Sequence, residues 1–327
     1  MNNILITGGT GYVGTRLVPK LLQSGHNVSV IDWLIYGNFL PFDKNLSVYK
    51  LDIRRSNSLN ELIKKIKPNI VIALASISND PMGDFNPTLT KEVNIDAHKN
   101  LIDMCIKANV GRFIFASSSS VYGENEDENI DESTRLAPIT LYSETKVIIE
   151  KYLNKLSSNN FSTVSVRPAT VCGWSPRQRL DLIVNLLTYY GYYNKQITIE
   201  GGERVRPHIH IEDMVKVYIE LIKAPKTLVN RKVYNAGAEY FSLNELGKLV
   251  EKQTGCNIRK TKGPDNRSHR LNSNLIKKDL GLKFDKTVER AIMDMVYSFN
   301  NHLVDIKDQR CFNMKWYQQM LDEKKIN

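Results

Sequence analysis

The chain has 327 residues, enough for roughly two domains, and its 42% hydrophobic and 24% charged residues exclude a disordered chain as the main state. Its longest apolar runs, such as residues 70–75, are far shorter than the ~20 residues that span a bilayer, so we expect neither a transmembrane helix nor a membrane partner. The formal net charge of +10 is spread along the chain and is interrupted by the acidic stretch 124–132, which favours a solvated surface that tolerates a small anion over one that binds nucleic acid.

Short apolar runs alternate with helical patterns through the first half of the chain. The apolar runs cover residues 3–7, 28–32, 48–52, 70–75, 113–117 and 164–167, and the helical patterns cover 14–24, 58–67, 90–108 and 141–156. Short strands joined by helices of this length require right-handed parallel crossovers. The pattern predicts an α/β fold, a doubly wound parallel sheet of the Rossmann type covered by helices.

The alternation ends after residue 167. Helical patterns follow at 180–190, 212–223 and 243–253, with one short strand at 232–235. This half indicates a second, smaller domain of mixed α/β structure. We expect the first domain to comprise residues 1–172 plus about 208–240, and the second to comprise about 173–207 plus 241–327.

A glycine-rich turn with the sequence TGGTGYVG joins the first strand to the first helix at residues 7–14. This spacing lets the backbone approach a pyrophosphate, which also faces the amides of the helix N-terminus. Asp32 ends the next strand, where a carboxylate accepts hydrogen bonds from the adenosine ribose and repels a 2′-phosphate. We therefore predict NAD and not NADP as the cofactor. The expected contacts in this half are Gly8, Gly11, Tyr12, Val13, Gly14, Asp32, Asp52, Ile53, Ala73 and Ala75, although Asp52 also suits an ordinary turn at the end of its strand.

A serine run, residues 117–120, ends the strand at 113–117, at the edge of the sheet where ligands of such folds bind. Tyr142 and Lys146 follow in a helical pattern, and positions i and i+4 share one helix face. A cation beside a phenol lowers the pKa of the phenol, which makes Tyr142 a base for an alcohol proton. Taken singly, the serine run also suits a turn, and the Tyr-Lys pair also suits an exposed helix face.

The four cysteines form no C-x-x-C pair and have no histidine at zinc spacing. We expect free thiols in a reducing cytoplasm and no metal site. The cysteines are Cys105, Cys172, Cys256 and Cys311.

Together, the motifs of residues 1–292 resemble the extended short-chain dehydrogenase/reductases of the sugar-nucleotide epimerase/dehydratase family. The motifs are TGGTGYVG, ASSSSVYG, YSETK, RPATVCG and RPHIHIED. The resemblance implies that Tyr142 is the catalytic acid/base, that Lys146 binds the nicotinamide ribose, and that Ser118 hydrogen-bonds the reacting hydroxyl. Ser119 takes the role of Ser118 if the register slips by one residue.

The resemblance also implies where the other ligand contacts lie. Arg167 and Pro168 would lie beside the nicotinamide, whereas His208 and His210 would pack or hydrogen-bond locally. The second domain would bind the nucleotide-sugar, and residues 90–108 and 141–156 would form a homodimer interface. The implied substrate contacts are Asn79, Ser118, Ser119, Thr170, Arg177, Arg179, Asn185, Arg206, Asp265 and Arg267.

Members of this family begin by oxidising a sugar hydroxyl, usually at C4, so the resemblance implies an NAD-dependent enzyme that acts on a nucleoside-diphosphate sugar. Ser119 and Ser120 stand where 4,6-dehydratases have an Asp-Glu pair, which disfavours dehydration. Asp32 disfavours the NADP-dependent reductases. We expect a sugar-nucleotide epimerase, with a role in polysaccharide biosynthesis.

Alternatives to the epimerase stay open. In a net 4-dehydrogenase, the keto sugar, a hexose or a heptose, would leave the enzyme. A non-catalytic NAD-binding interaction protein would belong to another class, and the intact set of Ser118, Tyr142 and Lys146 argues against it. The sequence does not select the nucleotide among UDP, GDP, dTDP and CDP.

Overall fold

The structure, a computed structural model, describes residues 1–123, 125, 129–263 and 270–326. Its strands are β1 (Asn3–Thr7), β2 (Asn27–Asp32), β3 (Leu46–Lys50), β4 (Ile70–Ala73), β5 (Arg112–Ala116), β6 (Asn129–Ile130), β7 (Ser162–Pro168), β8 (Thr170–Cys172), β9 (Gln196–Glu200), β10 (Val205–His210), β11 (Lys232–Ala236), β12 (Glu239–Ser242), β13 (Asn257–Thr261) and β14 (Arg270–Leu271). Its α-helices are α1 (Gly14–Gln23), α2 (Ser56–Ile66), α3 (Asp80–Phe85), α4 (Pro87–Lys91), α5 (His98–Lys107), α6 (Leu141–Leu156), α7 (Ile183–Tyr193), α8 (Ile211–Lys223), α9 (Lys226–Val229), α10 (Leu243–Thr254), α11 (Asn274–Leu280), α12 (Val288–Asn300) and α13 (Asn313–Asp322). A π-helical turn, Glu92–Ala97, joins α4 to α5.

Seven strands form one parallel sheet in the order β11-β7-β5-β4-β1-β2-β3. The chain moves outward from β1 in one direction through β2 and β3, and in the other direction through β4, β5, β7 and β11. The order reverses between β1 and β4, where Thr7 pairs with Ala73, and ligands of such sheets bind at the carboxyl ends of the strands beside this point. This topology confirms the predicted doubly wound parallel sheet.

Helices cover both faces of the large sheet. Neighbouring residues of a strand point to opposite faces, so one strand contributes side chains to two apolar clusters. Ile4 and Ile6 of β1 pack in the cluster that contains α1 and α8. Leu5, between them, packs in the cluster that contains α2, α5 and α6. All four residues of β4 are buried, as expected for a strand covered on both faces.

The second half of the chain builds smaller sheets. Three strands pair in the order β12-β10-β8, antiparallel between β10 and β12 and parallel between β10 and β8, and β13 pairs with β9. Helices α7, α10 and α12 pack together with β9 around a separate apolar cluster. These mixed sheets agree with the predicted second, smaller α/β unit, and the domain boundaries stay a prediction.

The C-terminal segment docks on the body of the molecule. Helix α13 inserts Tyr317 and Met320 into the apolar cluster beneath β1 and β2. The sequence patterns indicated neither this helix nor α3 nor α12.

No helix within the described residues is long and apolar enough to cross a membrane. All four cysteines are free and buried. The described part of the chain contains no group of three His, Cys, Asp or Glu side chains that could hold a metal ion.

Candidate active site

A cleft of about 560 Å³ lies at the carboxyl ends of the central strands. It brings together most of the residues that the sequence analysis selected from separate parts of the chain. The predicted residues in its wall are Gly8, Gly11, Tyr12, Val13, Gly14, Asp32, Ile53, Ala75, Asn79, Ser118, Ser119, Tyr142, Lys146, Pro168, Thr170, Arg177, Arg179 and Arg206.

The glycine turn at the start of α1 is closely packed. A Cβ on Gly8, where φ is +72°, would lie 2.5 Å from the backbone nitrogen of Ala75, and a Cβ on Gly14 would lie 2.3 Å from the carbonyl oxygen of Gly9. Only glycine fits either position, so the turn lies flat against the end of β4 and α1 begins at the cleft. Such a turn and helix N-terminus suit a pyrophosphate.

Asp32 is held at the end of β2 by two backbone amides. The N–H of Leu34 donates to Oδ1 at 2.9 Å and the N–H of Thr10 donates to Oδ2 at 3.1 Å. Burial raises the pKa of the carboxyl, while these hydrogen bonds act in the opposite direction. The side chain of Thr10 also hydrogen-bonds to this carboxylate. The glycine turn and Asp32 together fit the adenosine and pyrophosphate parts of NAD.

The first turn of α6 carries Tyr142. Thr140 caps this helix, since the Ser143 amide donates to Oγ1 of Thr140 at 3.2 Å. Tyr142 shares a hydrogen bond with Ser118, which follows β5, and the hydroxyl of Ser120 donates to Oγ of Ser118 at 2.9 Å. The predicted phenol and serine hydroxyl therefore meet in the cleft although they lie on different elements.

Lys146 lies one helical turn beyond Tyr142. Its Nζ donates to the carbonyl oxygen of Ala116 at 2.9 Å and lies 5.3 Å from the centroid of the Tyr142 ring. Burial lowers the pKa of Lys146 to about 7 and raises the pKa of Tyr142 to about 12. The rise in the pKa of Tyr142 runs against the expected lowering by Lys146: burial is its largest cause, while the hydrogen bond to Ser118 and the charge of Arg179 act in the opposite direction.

Arg167 does not lie in the wall of the cleft, contrary to the expectation that it would flank the nicotinamide with Pro168. Its Nε and Nη2 donate to Glu150 of α6 at 2.9 and 2.6 Å, and its Nη1 donates to Oη of Tyr122 at 2.7 Å. Both side chains of the ion pair are 5% exposed. This buried pair fixes α6 against β7 and thereby positions Tyr142. Glu150 was missed, although its spacing of four residues from Lys146 places it on the same helix face.

Four arginines line the cleft and give its wall a positive charge. Arg179 donates to Asp181 at 2.8 Å through Nε, and its buried Nη2 has no partner in the described residues. The guanidinium of Arg177 lies 4.0 Å from the centroid of the Tyr36 ring. Arg206 lines the cleft as expected, and so does Arg204, which the sequence analysis missed. Guanidinium groups in such number suit a diphosphate.

The structure places three further predicted residues, besides Arg167, outside the wall of the cleft. The amide of Asn185 donates to Oη of Tyr12 and to the carbonyl of Arg179, and its oxygen accepts from Gly173, so the side chain is already satisfied. The carboxylate of Asp52 binds Arg54, and Ala73 is buried within β4.

The remaining predictions concern residues that are not part of the described wall of the cleft. Asp265 and Arg267 lie outside the described residues. His210 accepts a hydrogen bond from the amide of Glu212, as expected of a local contact. His208 is buried with no partner for either ring nitrogen in the described part of the chain, and burial lowers its pKa to about 4.

A model of the NAD-dependent epimerase/dehydratase family matches residues 4–237. The chain belongs to this family. The enzyme therefore uses NAD, as predicted, and the glycine turn and Asp32 provide a fitting site for it.

Individual relatives of this family member are also epimerases by name. A UDP-glucose 4-epimerase of Lactobacillus helveticus is 27% identical over 80% of this chain and 84% of its own length. A UDP-glucose epimerase of Bacillus subtilis, described as uncharacterised, is 31% identical over 77% of this chain and 82% of its own. The solved UDP-glucose 4-epimerase of Thermotoga maritima, in complex with UDP-glucose, superposes with a TM-score of 0.84 at 25% identity and covers 92% of this chain and 99% of its own.

Proposed function

We propose that this enzyme is a UDP-sugar 4-epimerase that uses Tyr142, Ser118 and Lys146 to invert the configuration at C4. The observation that carries the proposal is that no described residue places a free carboxylate beside the reacting groups. Among the described residues, only Asp32 and Asp80 bring a carboxylate to the cleft wall, and Asp80 already accepts a hydrogen bond from Thr140 at 2.5 Å. Elimination of water would need an acid at Ser119 or Ser120, so oxidation followed by reduction fits better.

In the proposed reaction, Ser118 orients the sugar hydroxyl and Tyr142 removes its proton. Bound NAD supplies the hydride acceptor and a positive ring charge that favours the phenolate. The keto sugar then turns within the cleft, and Tyr142 returns the proton to the oxygen after hydride has reached the other face of C4. The two proton transfers cancel, so the enzyme ends each cycle in the protonation state in which it began.

The choice of UDP depends on the relatives, since several of them are named UDP-glucose 4-epimerases. Arg179, Arg204 and Arg206 supply positive charge for the diphosphate of the substrate, whereas Arg177 contacts Tyr36 and Asn313 on the side of Asp32. None of the four carries information about the base. The identity of the sugar follows from the same comparison, and a hexose is the first choice. A sugar nucleotide of this kind would supply polysaccharide biosynthesis.

The test is incubation of the purified enzyme with UDP-, dTDP-, GDP- and CDP-sugars, following nicotinamide absorbance and sugar products together. The proposal predicts a UDP-sugar inverted at C4 with no net NADH. Stoichiometric NADH with a keto sugar would instead establish a net 4-dehydrogenase. Inversion of a GDP-, dTDP- or CDP-sugar alone would overturn the choice of nucleotide while keeping the reaction.

We also propose a homodimer in the cytoplasm. Helices α5 and α6 pack against each other beside the sheet, where Oη of Tyr152 donates to Asp103 at 2.7 Å. Ile148 of α6 is nevertheless 38% exposed. An isoleucine exposed on this face suits a second copy of the chain, and the four free thiols suit a reducing compartment.

A further inference from the structure

The segment that follows α12 crosses from one side of the cleft to the other. On the side of the second unit, the Leu180 amide donates to the carbonyl oxygen of Cys311 at 2.7 Å, and Cys311 packs with Phe299. On the side of the large sheet, α13 buries Tyr317 in the same apolar cluster as Leu5 of β1. One short segment is therefore packed into both halves of the molecule.

Polar contacts fix α13 over the loop that follows β2. The indole N–H of Trp316 donates to the carbonyl oxygen of Ile35 at 2.6 Å. Nη2 of Arg177 donates to Oδ1 of Asn313 at 2.5 Å. Ile35 lies three residues beyond Asp32, so the helix is held above the part of the cleft that receives adenosine.

Two residues of α13, Asn313 and Tyr317, form part of the cleft wall together with Tyr36. Tyr317 is 0% exposed, yet its Oη has no hydrogen-bond partner in the described residues, and the same is true of the buried Oη of Tyr36. Buried hydroxyls are seldom left unsatisfied, because each loses its bonds to water. Two such hydroxyls in the wall of one cleft indicate a polar ligand between or beside them.

We propose that the C-terminal helix α13 completes the NAD site: the hydroxyls of Tyr36 and Tyr317 bind the adenosine half of NAD, and α13 keeps the cofactor from dissociating. The ribose and adenine offer the hydrogen-bonding atoms that both hydroxyls lack. Retention matters for an epimerase, because NADH that left before the return of hydride would strand a keto sugar. The binding of NAD is required by either reaction considered above, so the proposal does not depend on epimerisation.

The first test is Tyr317→Phe, which removes the hydroxyl and keeps the buried ring. NAD affinity is measured by calorimetry on enzyme stripped of cofactor, without any sugar. We expect the dissociation constant to rise about tenfold, while the melting temperature of the stripped protein stays the same or increases. Tyr297→Phe, on the exposed face of α12, is the matched control and should leave the dissociation constant unchanged.

An NAD affinity within twofold of the parent enzyme would overturn the role of the Tyr317 hydroxyl. A lower melting temperature of the stripped variant with unchanged affinity would do the same, since it would assign the hydroxyl a protein partner. Neither result bears on whether the enzyme inverts a sugar, which the product assay measures separately.

The second test concerns retention and uses Trp316→Phe, which removes the hydrogen bond to Ile35 but keeps an aromatic ring on α13. Release of NADH is followed by its fluorescence after dilution into excess NAD. Faster release, by about tenfold for the loss of one buried hydrogen bond, supports a helix that holds the cofactor in place. An unchanged release rate would show that α13 does not control dissociation and would overturn this part of the proposal.

Discussion

Tyr142 and Lys146 lie one turn apart on α6, and burial acts on their pKa values in opposite directions. The pKa of the phenol rises to about 12 and that of the amine falls to about 7, since burial disfavours the charged form of each. Tyr142 is therefore a neutral phenol at pH 7, and Lys146 titrates near neutrality. A positive charge close to the phenol, such as that of a bound nicotinamide ring, would favour the phenolate.

Tyr142→Phe should reduce turnover by about 10²- to 10⁴-fold, the usual contribution of a general acid–base group. NAD affinity should stay within twofold, because the ring and the glycine turn are retained. Initial rates and calorimetry on the same preparation check both statements. Tyr190→Phe, on an exposed part of α7, is the control, and full activity of Tyr142→Phe would contradict the assigned role.

Lys146→Met should make the cofactor-free protein more stable near pH 7, and the gain should shrink as pH rises. The folded-state pKa lies below the unfolded value of 10.5, so protonation favours the unfolded chain. The destabilisation of the folded parent protein by Lys146 is complete below about pH 7. It declines by about 1.4 kcal/mol per pH unit until the pH reaches the pKa of the lysine in the unfolded chain.

Lys146→Met also loses the hydrogen bond to Ala116, and the resulting loss of stability depends little on pH. The decisive quantity is therefore the slope of the stability difference between variant and parent from pH 7 to pH 10. Denaturant unfolding of the parent and the variant at several pH values measures it. Lys151→Met, on the exposed side of α6, should show no such slope. Parallel curves for the parent and Lys146→Met would contradict the lowered pKa.

At the scale of elements, a buried ion pair helps to fix α6 against the sheet. Glu150 binds Arg167 of β7 through two hydrogen bonds and also accepts from Ser117 at 2.5 Å. The network therefore joins α6 to two neighbouring strands. Because these contacts fix the turns of α6 that follow Tyr142, the helix presents Tyr142 at the cleft.

Glu150→Gln should lower the free energy of unfolding by about 3–5 kcal/mol, since it leaves the guanidinium of Arg167 buried without a counter-charge. Denaturant unfolding measures the change. Glu144→Gln, an exposed position on the same helix, should change stability by less than about 0.5 kcal/mol. Equal effects of the two substitutions would show that the buried pair does not hold the helix.

The glycine turn makes a second prediction at this scale. Gly14→Ala should destabilise the fold by about 1–3 kcal/mol and abolish NAD binding, because its Cβ would lie 2.3 Å from the Gly9 carbonyl oxygen. A Cβ on Gly11 would contact only the Gly8 oxygen, at 3.1 Å. Gly11→Ala should therefore fold normally but bind NAD less tightly. Thermal unfolding and calorimetry separate the two, and a stable, NAD-binding Gly14→Ala would contradict the packing argument.

At the scale of the whole molecule, the cleft is assembled from parts that are remote in the chain. The turn after β1, the first residues of α6, the arginines that follow β8 or lie at the start of β10, and α13 all contribute to its wall. The bond between Trp316 and Ile35 joins residues 281 positions apart. Cofactor binding should therefore stabilise both halves together, as expected for a ligand that binds only the folded state.

The proposed homodimer is a prediction at this scale. Analytical ultracentrifugation at micromolar concentration should show a dimer, and Ile148→Lys on α6 should shift it to monomer by placing a charge in the interface. Met293→Lys on α12, where the methionine is 43% exposed, is the matched control and should stay dimeric. A parent protein that sediments only as a monomer would contradict the proposal.

The amino-acid sequence alone predicted the parallel sheet, the glycine turn, Asp32 and the set of Ser118, Tyr142 and Lys146. These features follow from local spacing, which alternation and helical periodicity reveal directly. It also led to the family, through several motifs in one order.

Three features could be known only from the folded chain: the direction of the pKa shifts, the pairing of Arg167 with Glu150 and the position of α13 above the cleft. Burial depends on what the remaining chain places around a residue, and no local pattern records it. The same reason explains why Asn185 is satisfied by Tyr12 and Arg179, outside the cleft wall, and why Tyr317 could not be linked to NAD from its sequence context. These assignments required knowledge of contacts between segments that are distant in the chain.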